Sequence, residues 1–145
     1  MPKTKKDIST EAKKDTAVDA NDASSVKKRI LIVEDERPLA HALELKVSHE
    51  GYETKVSLSG TDGLKEVLTG KYACILLDLI MPEMDGFTLL QQMQDRKIKT
   101  PVIVLSNLGQ EEDKVKAKGF GVLEYYVKAN TPIMEIVKRV KSIVN

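Results

Sequence analysis

The sequence predicts an α/β fold, a doubly wound five-stranded parallel sheet with helices on both faces. Three observations lead to it. Short, continuous apolar runs such as Ile30-Leu31-Ile32-Val33 and Ala73-Cys74-Ile75-Leu76-Leu77 are too short for confident helices and are bounded by turns, which marks strands buried on both faces. These runs alternate with segments of helical period, five β/α units in all, which argues for parallel strands and right-handed crossovers. Several of the runs end on a carboxylate, a hydroxyl or an ammonium, and in parallel sheets ligands collect at the carboxyl ends of strands.

Taken in order, residues 1–27 carry only Ile8, Val18 and Val26 as branched aliphatics, too little apolar surface to offset the entropy of ordering them, and read as a disordered polar tail. Residues 28–145 read as the single globular domain. Arg29 to Val33 is the first strand and delivers Glu34-Asp35-Glu36. Pro38 suits the first turn of the next helix, whose Leu39, Ala42, Leu43 and Val47 share a face until Gly51 stops it. His41 and His49 have no Cys or His companion at ligand spacing and read as surface or boundary residues. Tyr52 to Ser57 is a strand of intermediate burial, and Gly60 to Gly70 encloses a short helix carrying Leu64, Val67 and Leu68. The Ala73 to Leu77 strand then ends on Asp78, with Met81-Pro82 and Asp85-Gly86 as turn punctuation. An aspartate so placed could also do no more than cap the following helix. That helix, Phe87 to Arg96, sets Phe87, Leu90 and Met93 at helical spacing; Pro101 to Leu105 follows as a strand ending on Ser106-Asn107. Glu111-Glu112-Asp113 opens the next helix and Lys114, Lys116 and Lys118 close it, the order that complements a helix dipole. Leu123 to Val127 is the last strand, finishing on Lys128. Thr131-Pro132 then supplies a cap and first turn for a helix with Ile133, Ile136, Val137, Val140, Ile143 and Val144 inward.

Composition narrows the function. With 145 residues, 41% apolar and 31% charged, the chain is long enough for one domain with a real core. It has no apolar run near the length of a membrane span or a secretory signal core, so a cytoplasmic protein is expected. The one cysteine, Cys74, falls in a buried strand and is expected to be a core residue rather than a reactive thiol. Residues 1–28 hold seven Lys against five acids and the remainder sixteen basic against seventeen acidic, so no basic patch argues for direct nucleic-acid binding.

If the strands are parallel, one sheet edge receives Glu34, Asp35 and Asp78, then Ser106, then Lys128. Carboxylates crowded together repel by about 4 kcal/mol per pair at 4 Å in an effective dielectric of 20. Such a cluster needs a cation, and oxygen ligands with room for water suit Mg²⁺. With Asp78 as nucleophile, the metal and Lys128 neutralising equatorial oxygens, and Ser106 donating a hydrogen bond, the edge can receive a phosphoryl group.

The motifs VEDE (Glu34, Asp35), DLIMPEMDG (Asp78), VIVLSN (Ser106) and YYVK (Lys128) occur in one order, each at its own strand end. In these residues the segment 28–145 resembles the receiver domain of bacterial two-component response regulators, whose fold is flavodoxin-like. The resemblance implies phosphorylation of Asp78 by a sensor histidine kinase or a phosphotransfer protein. It further implies direct Mg²⁺ binding by Asp35, Asp78 and the backbone carbonyl of Ile80, with Glu34 acting through water. Ser106 and Tyr125 correspond to the pair whose coupled movement carries the signal. The expected protein is a stand-alone switch whose output is phosphorylation-dependent protein binding, as a monomer or a phosphorylation-dependent dimer; it is not a turnover enzyme. A phosphorelay shuttle is the alternative. A Mg²⁺-dependent aspartyl-phosphate phosphatase would carry a second aspartate where Ile80 stands, and a phosphate-independent pseudo-receiver is disfavoured by the complete set of pocket residues. Ala129-Asn130 follow Lys128 where the family often has proline, so the sequence gives no ground for a cis peptide there. Apolar Ile80 and Leu108 replace side chains that could align water, which implies slow loss of phosphate, and Asn107 narrows access to Asp78.

Overall fold

The computed structural model describes residues 26–145. The predicted polar tail therefore lies outside the described residues but for its last two. Five parallel strands form one sheet: β1 (Arg29–Val33), β2 (Glu53–Ser57), β3 (Cys74–Leu77), β4 (Val102–Ser106) and β5 (Glu124–Val127), in the spatial order β2-β1-β3-β4-β5. Five α-helices intervene: α1 (Arg37–His49), α2 (Gly60–Val67), α3 (Gly86–Asp95), α4 (Glu111–Gly119) and α5 (Ile133–Val144). The doubly wound fold is as the apolar runs foretell. The chain leaves β1 for β2 on one side and returns to place β3 on the other, so the crevice between β1 and β3 is where the strand order reverses.

Two cores flank the sheet. Ile30, Ile32, Cys74, Leu76, Ile103 and Leu105 face α1 and α5, meeting Leu43, Val47, Ile136, Val137 and Val140. Leu31, Val33, Ile75, Leu77, Val102 and Val104 face the other way, onto Val67, Leu89, Leu90, Met93 and Ala117. Because alternate residues of each central strand feed opposite cores, the strands read as unbroken apolar runs. Cys74 is buried, and burial pushes its thiol up to about 12.

Local details depart from expectation. Thr131 does not cap α5: its hydroxyl donates to the Val127 carbonyl at 3.0 Å, and Pro132 stands at the cap without a side-chain bond. A short 3₁₀ turn, Lys128–Asn130, takes up the chain between β5 and that cap, so Lys128 opens a turn rather than closing the strand. Leu68 follows the last residue of α2 and is exposed, since the helix ends before its stripe can continue. In α1 the buried set includes Ala40, with Leu39 half-buried. His41 and His49 are exposed, as expected.

Candidate phosphoacceptor pocket

β1 and β3 end side by side, and each delivers a carboxylate into the crevice. Glu34 follows β1 and is 1% exposed; Asp78 follows β3 and is 3% exposed. The backbone fixes both. The Asp78 N–H donates to the Val33 carbonyl at 2.9 Å and the Glu34 N–H to the Ser57 carbonyl at 3.0 Å, extending the parallel ladders one residue past the strands. Asp78 is no helix cap, because Asp85 caps α3 by accepting from the Thr88 N–H at 2.8 Å.

Lys128 crosses from β5 to meet them. Its Nζ lies 3.0 Å from Asp78 Oδ2, 2.9 Å from Glu34 Oε1 and 3.6 Å from Glu36 Oε1. Asp78 Oδ1 accepts from the Ile80 N–H at 3.1 Å and Glu34 Oε2 from the Glu36 N–H at 3.0 Å. Glu34 Oε1 is close to the ammonium but off the axis of a hydrogen bond, which leaves a buried carboxylate oxygen without an aligned donor.

Burial pushes the Glu34 carboxyl up to about 7, against the opposing pull of the Glu36 N–H and Lys128. Burial raises Asp78 as well, while the Ile80 N–H and Lys128 pull it down. Burial alone would lower Lys128, yet its bonds to Glu34 and Asp78 and their charge hold it above the ordinary lysine range. One ammonium thus does not suffice for the carboxylates around it. One oxygen from each of Glu34, Asp35 and Asp78 lies within 4.8 Å of the other two, close enough to share one ion. Hard oxygen donors, one of them lacking an aligned donor, beside an open space of about 140 Å³ fit Mg²⁺ with water in its remaining positions.

Ser106 and Tyr125 meet on one residue rather than on Asp78. Ser106 Oγ, fully buried, accepts from the Leu108 N–H at 3.1 Å, and the half-buried Tyr125 donates to the Leu108 carbonyl at 2.6 Å. Burial raises the Tyr125 phenol and the charge of Asp113 adds to it, while Ser106 pulls the other way. The segment leading into α4 is therefore held from both sides.

The response regulator receiver domain family matches residues 30–141. The chain belongs to this family. Over 100 residues this receiver is 35% identical to the transcriptional regulatory protein DltR of Streptococcus agalactiae, covering 69% of this chain and 45% of DltR. It is 36% identical over 115 residues to the response regulator ArlR of Staphylococcus aureus, covering 79% of this chain and 52% of ArlR. The chain thus spans about half the length of these curated relatives. Among solved structures, the receiver domain of Francisella response regulator 1452 superposes with a TM-score of 0.77 at 30% identity, over 81% of this chain and 97% of that one. The response regulator TrrA of Thermotoga maritima, solved in complex with Mg(2+)-BeF, gives 0.70 at 28%, over 80% and 98%.

Two kinds of residue in this receiver escaped sequence reading. Glu36 lines the pocket with Asp35, Asp78, Ile80, Asn107 and Lys128; it was legible only as one more acid in VEDE. Gly86 and Gly60 matter for what they lack. A Cβ on Gly86 would sit 2.6 Å from the Asp78 carbonyl oxygen and 2.7 Å from Leu79 Cα, and one on Gly60 1.8 Å from the Met84 carbonyl oxygen. The helix starts press directly on the loop that carries Asp78.

Proposed function

We propose that this receiver accepts a phosphoryl group on Asp78 from a sensor histidine kinase or phosphotransfer protein and signals by changing what it binds. The observation that carries this reading is the buried Asp78 carboxylate, 3.0 Å from Lys128 and beside Glu34 and Asp35, at the open crevice. A carboxylate oxygen of Asp78 forms the new P–O bond as the donor's P–N bond breaks, and the departing imidazole takes a proton from solvent. The Ile80 N–H holds the other oxygen, which orients the nucleophile. Asp35, Asp78 and the Ile80 carbonyl, with Glu34 through water, would hold Mg²⁺, which when bound would supply charge to offset the phosphoryl oxygens. Lys128 supplies one further cation. Ser106 and Tyr125 are the switch pair: when Ser106 turns toward the phosphoryl group it releases the Leu108 N–H, and the seat of Tyr125 changes with it.

The protein acts as a phosphorylated switch in the cytoplasm and not as a turnover enzyme. DltR is a transcriptional regulatory protein by name, so a DNA-directed output of the whole protein is the second reading beside protein binding. Among the described residues no helix is long and apolar enough to cross a membrane.

Intact mass after incubation with Mg²⁺ and acetyl phosphate tests the reading. One phosphate adduct is expected on the wild type and none on Asp78→Asn; an equal adduct on both would refute it. The adduct should also persist. Ile80, 52% exposed at the pocket rim, and Leu108, packed against the core, offer no group to align a hydrolytic water. A lifetime of seconds in the purified phosphoprotein would contradict that.

A further inference from the structure

We propose that Glu36 is a selectivity residue for the phosphodonor, acting as a fixed negative charge at the mouth of the pocket; this rests on the phosphoacceptor reading above. Glu36 is the cap residue of α1, yet its side chain makes no capping bond. Its carboxylate turns instead to the pocket, 3.6 Å from Lys128 Nζ, with 54% of the side chain exposed. Its own N–H is committed to Glu34 Oε2, which fixes where the residue stands.

The charge count gives the consequence. Lys128 faces Glu34 and Asp78 at 2.9 and 3.0 Å, and Asp35 shares their cluster. A divalent cation and one ammonium carry three positive charges, which balance these three carboxylates. Glu36 is the surplus charge, and it stands where a donor must pass. An anionic donor is repelled in proportion to its own charge, and exposure at the rim makes that repulsion sensitive to salt. A small phosphorylated metabolite has nothing to offset it. A protein donor can place a cation over Glu36 beside its phosphohistidine.

The experiment compares adduct formation from acetyl phosphate, a dianion at neutral pH, with that from phosphoramidate, which carries one net negative charge less because its nitrogen is protonated. Wild type, Glu36→Gln, Glu36→Asp and Glu53→Gln are each followed by intact mass with Mg²⁺, at low and high ionic strength. At low salt Glu36→Gln should react with acetyl phosphate about 3- to 10-fold faster than wild type, and gain less with phosphoramidate. The gain should fade at high salt. Glu36→Asp should stay near wild type because the charge remains, and so should Glu53→Gln, which removes a charge far from the pocket. Calorimetric Mg²⁺ affinity is the second readout: a mouth charge alone weakens it by about 2- to 3-fold on removal. A loss of tenfold or more would make Glu36 a ligand and overturn the proposal. So would an unchanged donor ratio, or a gain that survives high salt. Were wild type to take phosphate from neither donor, the phosphoacceptor reading would fall together with this one; adducts with an unchanged ratio would remove Glu36 alone.

Discussion

Lys128 meets two buried carboxylates at 2.9 and 3.0 Å, and the imbalance has a measurable cost. Glu34 holds its proton to about pH 7 in the folded chain but releases it near pH 4.5 when unfolded. The folded state binds more protons across that interval, so this residue's contribution to stability falls as pH rises through it. Lys128 stays charged throughout, because its own value lies above the ordinary lysine range. In chelator, the melting temperature of Glu34→Gln should therefore gain on that of the wild type between about pH 4.5 and 7. Mg²⁺ should narrow the gap by restoring the wild type, with about 2.7 kcal/mol available at a hundredfold excess over its dissociation constant. Thermal melts across that range, with and without metal, check both statements; a constant gap would mean that Glu34 does not titrate there. Most of the pocket was legible in the sequence because a strand end announces its residue by breaking an apolar run. Glu36 was not: its role depends on where a cap side chain turns, and the VEDE motif does not encode that.

At the scale of elements, α3 is seated closely and α4 sparsely. Gly86 lets the start of α3 rest on the Asp78 and Leu79 backbone, and its N–H donates to the Leu79 carbonyl at 2.9 Å. Gly86→Ala should cost about 1–3 kcal/mol in chemical denaturation and slow phosphorylation of Asp78 as well, because backbone and not a flexible side chain must yield. Loss of stability with wild-type phosphorylation would show that the loop does not depend on this contact. Helix α4 buries only Ala117, leaves Val115 63% exposed and has no side-chain N-cap. Lys116 lies over the Phe87 ring at 4.3 Å, tying α4 to α3. Removing that tie in Lys116→Met should speed hydrogen exchange of the α4 amides by about 2- to 5-fold and leave β1 and β3 unchanged. Exchange that rises equally in the sheet would mean global destabilisation instead. The extent of α4 could be read from its charge order, acids first and lysines last, but its loose seating could not. Its one branched aliphatic, Val115, points to solvent, which the charge order does not reveal.

Across the whole molecule, the alternation of apolar runs with helical segments was enough to foretell the sheet, because strands covered on both faces need no pattern of their own. The strand order was less visible. It follows from crossover handedness and from where each helix finds a face, and only then do β1 and β3 become neighbours across the crevice. The same two-sided covering has a practical consequence for anyone who wishes to watch the molecule switch. Cys74, the chain's single cysteine, lies fully covered in the middle strand with its thiol pushed up to about 12, so at neutral pH it offers almost no thiolate to an alkylating dye. The natural chain is in effect its own cysteine-less background. A single cysteine introduced at the exposed Val115 would take one fluorophore at one place, on the loosely seated helix that follows the Ser106–Leu108 segment.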